Sequence, residues 1–258
     1  QYGTGIFSLK GNRITNNAGY PARIYMDIKN PMMLLGIGDN IIDGNTTDYI
    51  LLTGAIKESI TIPGKEFAIE NITIPEGKTL TIQPGAALLG YRTTGYIDIL
   101  GTMVAEGTLE GPIVFSALTD PEYGGSGVTT YEKSWLGIKV ESTGELQGNY
   151  VKIRYGGYYV YFSSQYNQSA LNVQGILNLN NSEIFNSFQQ GIFLATTQDV
   201  TIRNTKIESC ISYGIGVNKA TSSGLIIENN TIDKNRNDGI YIPQYGTGIF
   251  SLKASCII

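Results

Sequence analysis

The sequence contains no histidine among its 258 residues, and this absence excludes several kinds of chemistry. Without imidazole the chain cannot form the usual serine or cysteine triads, and it lacks the commonest general base. Zinc sites that depend on imidazole are excluded as well. The two cysteines, Cys210 and Cys256, match no metal-binding or redox spacing. Most familiar hydrolase chemistry is therefore not expected.

Long apolar runs and excess charge are also missing. No stretch reaches the roughly 18 apolar residues that a membrane helix requires, so we expect no membrane insertion. The 18 basic and 22 acidic residues give a net charge of −4, which does not favour a nucleic acid partner. Only 16% of the residues are charged, whereas 32 are glycine and 41% are hydrophobic. This composition indicates a folded, turn-rich β protein.

One decapeptide occurs twice in the chain. Residues 1–10, QYGTGIFSLK, recur unchanged at 244–253. The offset of 243 residues indicates slightly more than one period of a long tandem array, or a permuted chain whose cut point was duplicated. The array interpretation predicts that the partners of this chain are copies of itself, placed end to end or as neighbouring repeats.

A shorter period lies inside the long one. Isoleucines that follow Asn-rich turns recur at steps of 23 to 25 residues, and Ile14 continues the series when it is carried forward by one long period to Ile257. The series comprises Ile184, Ile207, Ile232, Ile14 and, after an insertion, Ile42. Asparagine tolerates left-handed backbone and can bond to a neighbouring coil, so we expect bends at the flanking asparagines. These are Asn181, Asn204, Asn229 and Asn12.

A repeat of this length with two or three short strands cannot bury its own apolar face, so it must stack on its neighbours. The stacking solution is a parallel β-helix, in which equivalent residues of successive coils are ~4.8 Å apart. We predict one all-β domain over residues 1–258, with roughly ten coils of about 25 residues and a rod ~45 to 50 Å long. Residues 119–134 form the obvious irregular excursion from the coil.

Several segments resemble a known family. The similar runs are Ile72–Gly85, Gly101–Thr108, Pro112–Ser116, Trp135–Ile138 and Ile153–Gly157. They resemble the right-handed parallel β-helix domains of large secreted prokaryotic surface proteins, within the pectate-lyase-like superfamily. The Asn-rich coils after residue 175 are similar to repeats of polysaccharide lyases and carbohydrate-binding β-helices. This resemblance implies an extracellular or cell-surface location, and it leaves structural, adhesive and enzymatic roles open.

The leading hypothesis is a non-catalytic structural or adhesive unit, because an enzyme gains little from near-identical copies in series. The alternative is a polysaccharide lyase or glycosidase. Glu208 and Asp233 each follow a ladder isoleucine, so they would face outward on adjacent coils, ~5 Å apart, as in a retaining glycosidase. Lys206 lies close by, and a solvated face with screened ion pairs explains the same pattern.

A third hypothesis is glycan binding through aromatic rings, which stack on sugars and also anchor protein interfaces. Polysaccharide is the partner in that case. The chain has 17 tyrosines, and the candidates for stacking or interface contact are Tyr155, Tyr158, Tyr159, Tyr161 and Tyr166.

No cofactor is predicted, but the excursion offers weak calcium ligands in Asp120 and Glu122, without the dense acidic spacing of a calcium loop. Cys210 and Cys256 lie two coils apart, which is too far for a disulfide. We therefore expect Cys210 to be a buried, free thiol.

Overall fold

The computed structural model describes residues 8–27, 33–91, 94–127, 134–157, 169–218, 224–242, 250–253 and 256–257. Within these residues the chain consists of short β-strands and two 3-10 helices, Met33–Gly36 and Pro121–Tyr123. None of these helices is long and apolar enough to cross a membrane. In chain order, the strands are β1 (Leu9–Lys10), β2 (Arg13–Thr15), β3 (Arg23–Tyr25), β4 (Ile37–Gly38), β5 (Ile41–Asp43), β6 (Ile50–Ala55), β7 (Ile60–Ile62), β8 (Glu66–Ile74), β9 (Thr79–Ile82), β10 (Ala87–Gly90), β11 (Tyr96–Ile99), β12 (Thr102–Glu106), β13 (Ile113–Ala117), β14 (Gly137–Val140), β15 (Glu145–Asn149), β16 (Val151–Arg154), β17 (Ser169–Val173), β18 (Ile176–Asn180), β19 (Glu183–Phe185), β20 (Gln190–Leu194), β21 (Val200–Arg203), β22 (Lys206–Glu208), β23 (Ile215–Val217), β24 (Leu225–Glu228), β25 (Thr231–Asp233), β26 (Ile240–Tyr241), β27 (Phe250–Lys253) and β28 (Cys256–Ile257).

The strands stack into three long faces, and the strand pairs among the described residues are parallel. Face A is an eight-stranded sheet made of β7, β9, β12, β15, β18, β21, β24 and β27. Face B contains the first half of β8, then β10, β13, β16, β19, β22, β25 and β28. Face C contains the second half of β8, then β11, β14, β17, β20, β23 and β26. Strand β6 pairs with β8 on both faces, mainly on face B, where β3 pairs with it in turn. From β7 onward each coil therefore contributes one strand to each face, which agrees with the predicted two or three strands per coil, whereas β1, β2, β4 and β5 lie outside these faces.

Faces B and C join through β8, which is long enough to take part in both. Its first half pairs with β10 and its second half with β11. The bend between the halves is at Asn71, whose φ of 35° is in the left-handed region. Strand β6 follows β8 along both halves and shifts register after Thr53. Near the amino-terminal end, β1 pairs with β4 and β2 with β5 in separate two-stranded sheets.

The predicted isoleucine ladder is confirmed. Ile184 pairs with Ile207, and Ile207 pairs with Ile232. The series continues from Ile232 to Ile257, and the equivalent Ile14 pairs with Ile42. Ile184, Ile207 and Ile232 are fully buried, whereas Ile14 and Ile42 are half-buried. The period of 23 to 25 residues thus aligns apolar side chains along the axis of the coil.

The bends between faces A and B confirm three of the four expected asparagines. Asn181, Asn204 and Asn229 have φ values of 48°, 49° and 57°. The assignment of Asn12 is wrong by one position, because Gly11 takes the left-handed conformation with φ of 66°. Asn12 lies at the second turn position, where its Nδ2 donates to Asn40 Oδ1 at 3.0 Å. Glycine, like asparagine, adopts this left-handed conformation readily.

The interior of the coil is closely packed and apolar. Trp135 is fully buried, and its Nε1 donates to the carbonyl oxygen of Arg154 at 2.8 Å. A Cβ added to Gly90 would lie 2.8 Å from the Trp135 ring, so the indole requires a glycine at this position.

The cysteine prediction is also confirmed. Cys210 is buried and free, and burial raises the pKa of its thiol to about 12. Cys256 belongs to the strand two coils further along, since β22 pairs with β25 and β25 pairs with β28.

Candidate functional site

Glu208 and Asp233 lie side by side on face B, as their spacing predicted. They are direct register partners on β22 and β25, which places them one strand spacing apart, ~4.8 Å. Each carboxylate has its own cation: Lys206 Nζ is 2.7 Å from Glu208 Oε1, and Lys234 Nζ is 3.1 Å from Asp233 Oδ2. The hydrogen bond to Glu208 raises the pKa of Lys206.

The same outer surface carries further charges in alternating order. Lys152, Glu183 and Lys206 occupy one column on β16, β19 and β22, and Lys152 Nζ lies 3.5 Å from Glu183 Oε2. Alternation of sign between neighbouring strands is favourable and screened by water. Face B is therefore a charged, ion-paired outer surface around Glu208 and Asp233.

The described part of the 119–134 excursion is anchored by a buried arginine. Arg154 lies on β16 and is 5% exposed. Its Nη1 donates to Asp120 Oδ2 at 3.2 Å and also to Glu122 Oε2. The hydrogen bond from Arg154 lowers the pKa of the Glu122 carboxyl. Asp120 also accepts from Ser116 Oγ at 2.6 Å and caps the 3-10 helix through the backbone N–H of Glu122.

Aromatic rings complete this anchor. The Arg154 guanidinium carbon lies 5.2 Å from the centre of the Phe185 ring and 5.9 Å from that of Tyr123. Both weak calcium candidates, Asp120 and Glu122, are thus bonded to a cation of the chain itself. The described residues contain no group of three or more side chains placed to hold a metal.

A polar groove lies between the excursion and a loop of an earlier coil. Its volume is about 420 Å³. Two of its lining residues are joined by a hydrogen bond, in which the Tyr49 hydroxyl donates to the Tyr123 carbonyl oxygen at 2.5 Å. The residues that line it are Asn45, Thr46, Thr47, Asp48, Tyr49, Leu118, Thr119, Tyr123, Gly124, Gly125 and Ser126. This groove could not be predicted from the sequence, because Tyr49 and Tyr123 on its two walls are 74 residues apart and no motif links them.

The tyrosine cluster is described only in part. Tyr155 is half-buried and packs edge-on against Phe185, with ring centres 6.5 Å apart. The other four candidates, Tyr158, Tyr159, Tyr161 and Tyr166, lie outside the described residues.

A different aromatic pair occurs near the carboxy-terminal end of face C. Tyr213 and Tyr241 stack with ring centres 4.7 Å apart and an angle of 12° between their planes. Tyr241 is exposed, as are the neighbouring Ile211 and Ile242. The short period does not identify this pair, because the register partner of Tyr241 is Gly216 and not Tyr213.

The described ends of the two decapeptide copies each form a strand, β1 in a separate two-stranded sheet and β27 at the end of face A. In the first copy, Leu9 of β1 pairs with Ile37 of β4. In the second copy, Leu252 of β27 pairs with Ile227 of β24 on face A. The next residues also form strands in both places. Cys256 and Ile257 of β28 are one period of 243 residues after Arg13 and Ile14 of β2.

Residues 165–252 match the family model described as a right handed beta helix region. The match lies within the Asn-rich coils, and the parallel faces extend the same stacking through the rest of the described chain. The chain is a right-handed parallel β-helix. No curated protein and no solved structure matched it. In this β-helix the match covers about a third of the sequence, so it identifies the fold and leaves the activity open.

Two features of this β-helix could not be predicted from its sequence: the burial of Arg154 and the groove beside Tyr49. Arg154 is outward-facing by strand register with Phe185, so its pattern predicts a solvated charge, and its burial depends on the excursion folding back over it. The groove beside Tyr49 likewise depends on contacts between distant coils.

Proposed function

We propose that this β-helix is one unit of an elongated, non-catalytic structural or adhesive assembly at the cell surface, built from tandem copies. The observation that carries the proposal is the register of the duplicated decapeptide. Leu252 and Lys253 extend face A beyond β24, and the identical Leu9 and Lys10 form β1 at the other end.

This register would allow a second copy to continue the coil of the first. One period of 243 residues returns the chain to the same strand, and the next residues, 256 and 257, occupy the positions of 13 and 14. In the proposed array, the first strands of a following copy take the places of β27 and β28 and continue the coil. Coils of a solenoid are stabilised mainly by their neighbours, so a continuous junction supports a long, stiff rod.

The junction is tested with a protein that contains two consecutive 243-residue periods. Small-angle X-ray scattering should give a maximum dimension of about twice that of the single unit, because the coils share one axis. The matched control is Leu252→Pro at the central junction, which removes an N–H donor from an interior strand. Two rods joined at variable angles in the unchanged two-period protein would contradict the proposal.

The enzymatic alternative makes a different prediction at Glu208 and Asp233. Each carboxylate is salt-bridged on an outer sheet face, which supports a role as surface charge. Replacing Glu208 with Gln and Asp233 with Asn should leave the assembly and any glycan binding unchanged. A cleavage activity on an acidic polysaccharide, measured as reducing or unsaturated ends and abolished by these substitutions, would favour the enzyme.

A further inference from the structure

A column of outward-facing side chains on face C contains polar groups that are buried. Asp98 on β11 pairs in register with Lys139 on β14, and Lys139 pairs with Asn172 on β17. Phe193 on β20 is the next member of the column. We call the pocket over Asp98, Lys139 and Asn172 the face C pocket. Tyr96, Leu136, Gly137, Ile138 and Ser169 form the remainder of its wall.

Two side chains of the face C pocket have polar atoms without a hydrogen-bond partner. Asn172 is 2% exposed, and both its Nδ2 and its Oδ1 are buried and unpartnered. The Oδ1 of Asp98 is likewise buried and has no hydrogen-bond partner. An unsatisfied buried polar group costs about 1 to 3 kcal/mol, and native proteins keep few of them. Three such atoms at one pocket indicate that a ligand completes them.

The neighbouring charges restrict the ligand. Lys139 Nζ lies 2.5 Å from Glu141 Oε1, which places an ammonium and a second carboxylate beside the pocket. A metal cation is disfavoured by the Lys139 ammonium and by the Asn172 Nδ2 donor. An anion is disfavoured by the carboxylates of Asp98 and Glu141. The pocket therefore favours a neutral group that both donates and accepts hydrogen bonds.

The size and the surroundings of the face C pocket further restrict the kind of ligand. The pocket is partly open to the surface, and its volume of about 10 Å³ admits one oxygen-sized group. A hydroxyl fits because it donates to a carboxylate oxygen and accepts from an amide N–H at the same time. The half-buried ring of Phe193 lies next to Asn172, where the apolar face of a sugar ring can stack.

We propose that the face C pocket binds a hydroxyl group of a neutral sugar or polyol, which donates to Asp98 Oδ1 and accepts from Asn172 Nδ2, with Phe193 beneath the ring. The site does not depend on the array, and it uses neither Glu208 nor Asp233. It belongs to the side of each coil that also carries the stacked pair Tyr213 and Tyr241.

The test follows the side-chain amide of Asn172 by proton–nitrogen NMR during titration with glucose, galactose and mannitol. At least one of these probes should produce saturable shifts at Asn172, and galacturonate should bind more weakly because of its charge. Asn172→Ala should weaken binding at least tenfold and should raise the melting temperature, because it removes two unsatisfied atoms. A purely structural asparagine would lower the melting temperature when it is truncated.

The matched control is Asn178→Ala, which changes an exposed, outward-facing asparagine of the adjacent strand β18. It should leave both binding and melting temperature nearly unchanged. The proposal is overturned if none of the neutral probes shifts Asn172 and the pocket holds only water. It is also overturned if Asn172→Ala binds the probe as tightly as the unchanged protein.

Discussion

Arg154 shows how a single residue can link the coil to its excursion. Its guanidinium lies between Asp120 of the excursion and the ring of Phe185 on the adjacent coil. A buried charge without a partner is strongly unfavourable, so the arginine and the aspartate stabilise the structure only as a pair. Glu122 is 60% exposed and adds a second, solvated partner.

We predict that Asp120→Ala lowers the free energy of unfolding by about 3 kcal/mol, because it leaves Arg154 buried without its enclosed partner. Glu122→Ala is the matched control and should cost under about 1 kcal/mol, because that ion pair is exposed. Urea denaturation of both variants measures the difference. Equal effects of the two substitutions would show that burial does not decide the strength of this anchor.

Asp98 predicts a pH dependence of stability. Burial raises its pKa to about 6, the nearby Lys139 lowers it, and Glu141 raises it. Because the pKa is higher in the folded than in the unfolded state, the folded protein binds more protons between pH 4 and 6. The contribution of Asp98 to stability is therefore fully present below the unfolded pKa and is lost as the pH rises through about 6.

Asp98→Asn should remove this pH-dependent contribution to stability. The variant should therefore be more stable than the unchanged protein at pH 7.5 and differ little from it at pH 4. The comparison is made between the two proteins at each pH, because Glu122 and Asp48 have lowered pKa values and contribute with the opposite sign. Thermal melts at both pH values measure it. A stability difference that is the same at pH 4 and pH 7.5 would contradict the assignment.

At the scale of the element, the turn between faces A and B has two positions with different tasks. The first requires left-handed backbone, as at Asn229. The second bonds to the preceding coil: Asn230 Oδ1 accepts from the Thr205 N–H at 2.8 Å, and Asn230 Nδ2 donates to the Ile202 carbonyl at 2.9 Å. The turn thus fixes both the direction of the chain and its register.

We predict that Asn230→Ala destabilises the protein by about 2 to 3 kcal/mol, because it leaves a buried N–H and a buried carbonyl without partners. Asn229→Gly, one residue earlier, should change stability by under about 0.5 kcal/mol, because glycine adopts the left-handed conformation freely. Denaturant melts of the two variants give the comparison. Loss of stability in Asn229→Gly alone would reverse the roles assigned to the two positions.

The ladders of this β-helix could be predicted from the sequence, because each coil places the same residue type at the same distance from the last. The left-handed bends that end the face B strands could not, since they are filled by unrelated residues such as Ser209 and Lys234. Nor could the buried state of Arg154 or Asn172 be predicted. Strand alternation places both outward, and their burial depends on contacts that no short period encodes.

On the scale of the whole molecule, the coils differ in how much they bury. Strands β2 and β5 have three residues each, form a separate two-stranded sheet, and contain no fully buried residue. Strand β13, by contrast, is buried along its whole length inside the continuous stack. Because each coil is stabilised by its neighbours, local opening should begin where burial is least.

We predict that amide protons of residues 37–43 exchange at least tenfold faster than those of residues 145–154, measured by hydrogen–deuterium exchange with mass spectrometry.

In the protein with two consecutive periods, the amide protons of residues 37–43 of the second copy should exchange more slowly, because the coil before them is then covered by the end of the first copy. The same residues in the first copy serve as the internal control and should keep their fast exchange. Uniform exchange in the single unit would mean that the β-helix opens as one cooperative body. Unchanged exchange in the second copy would mean that the junction transmits no stability, which would remove the energetic basis for an array.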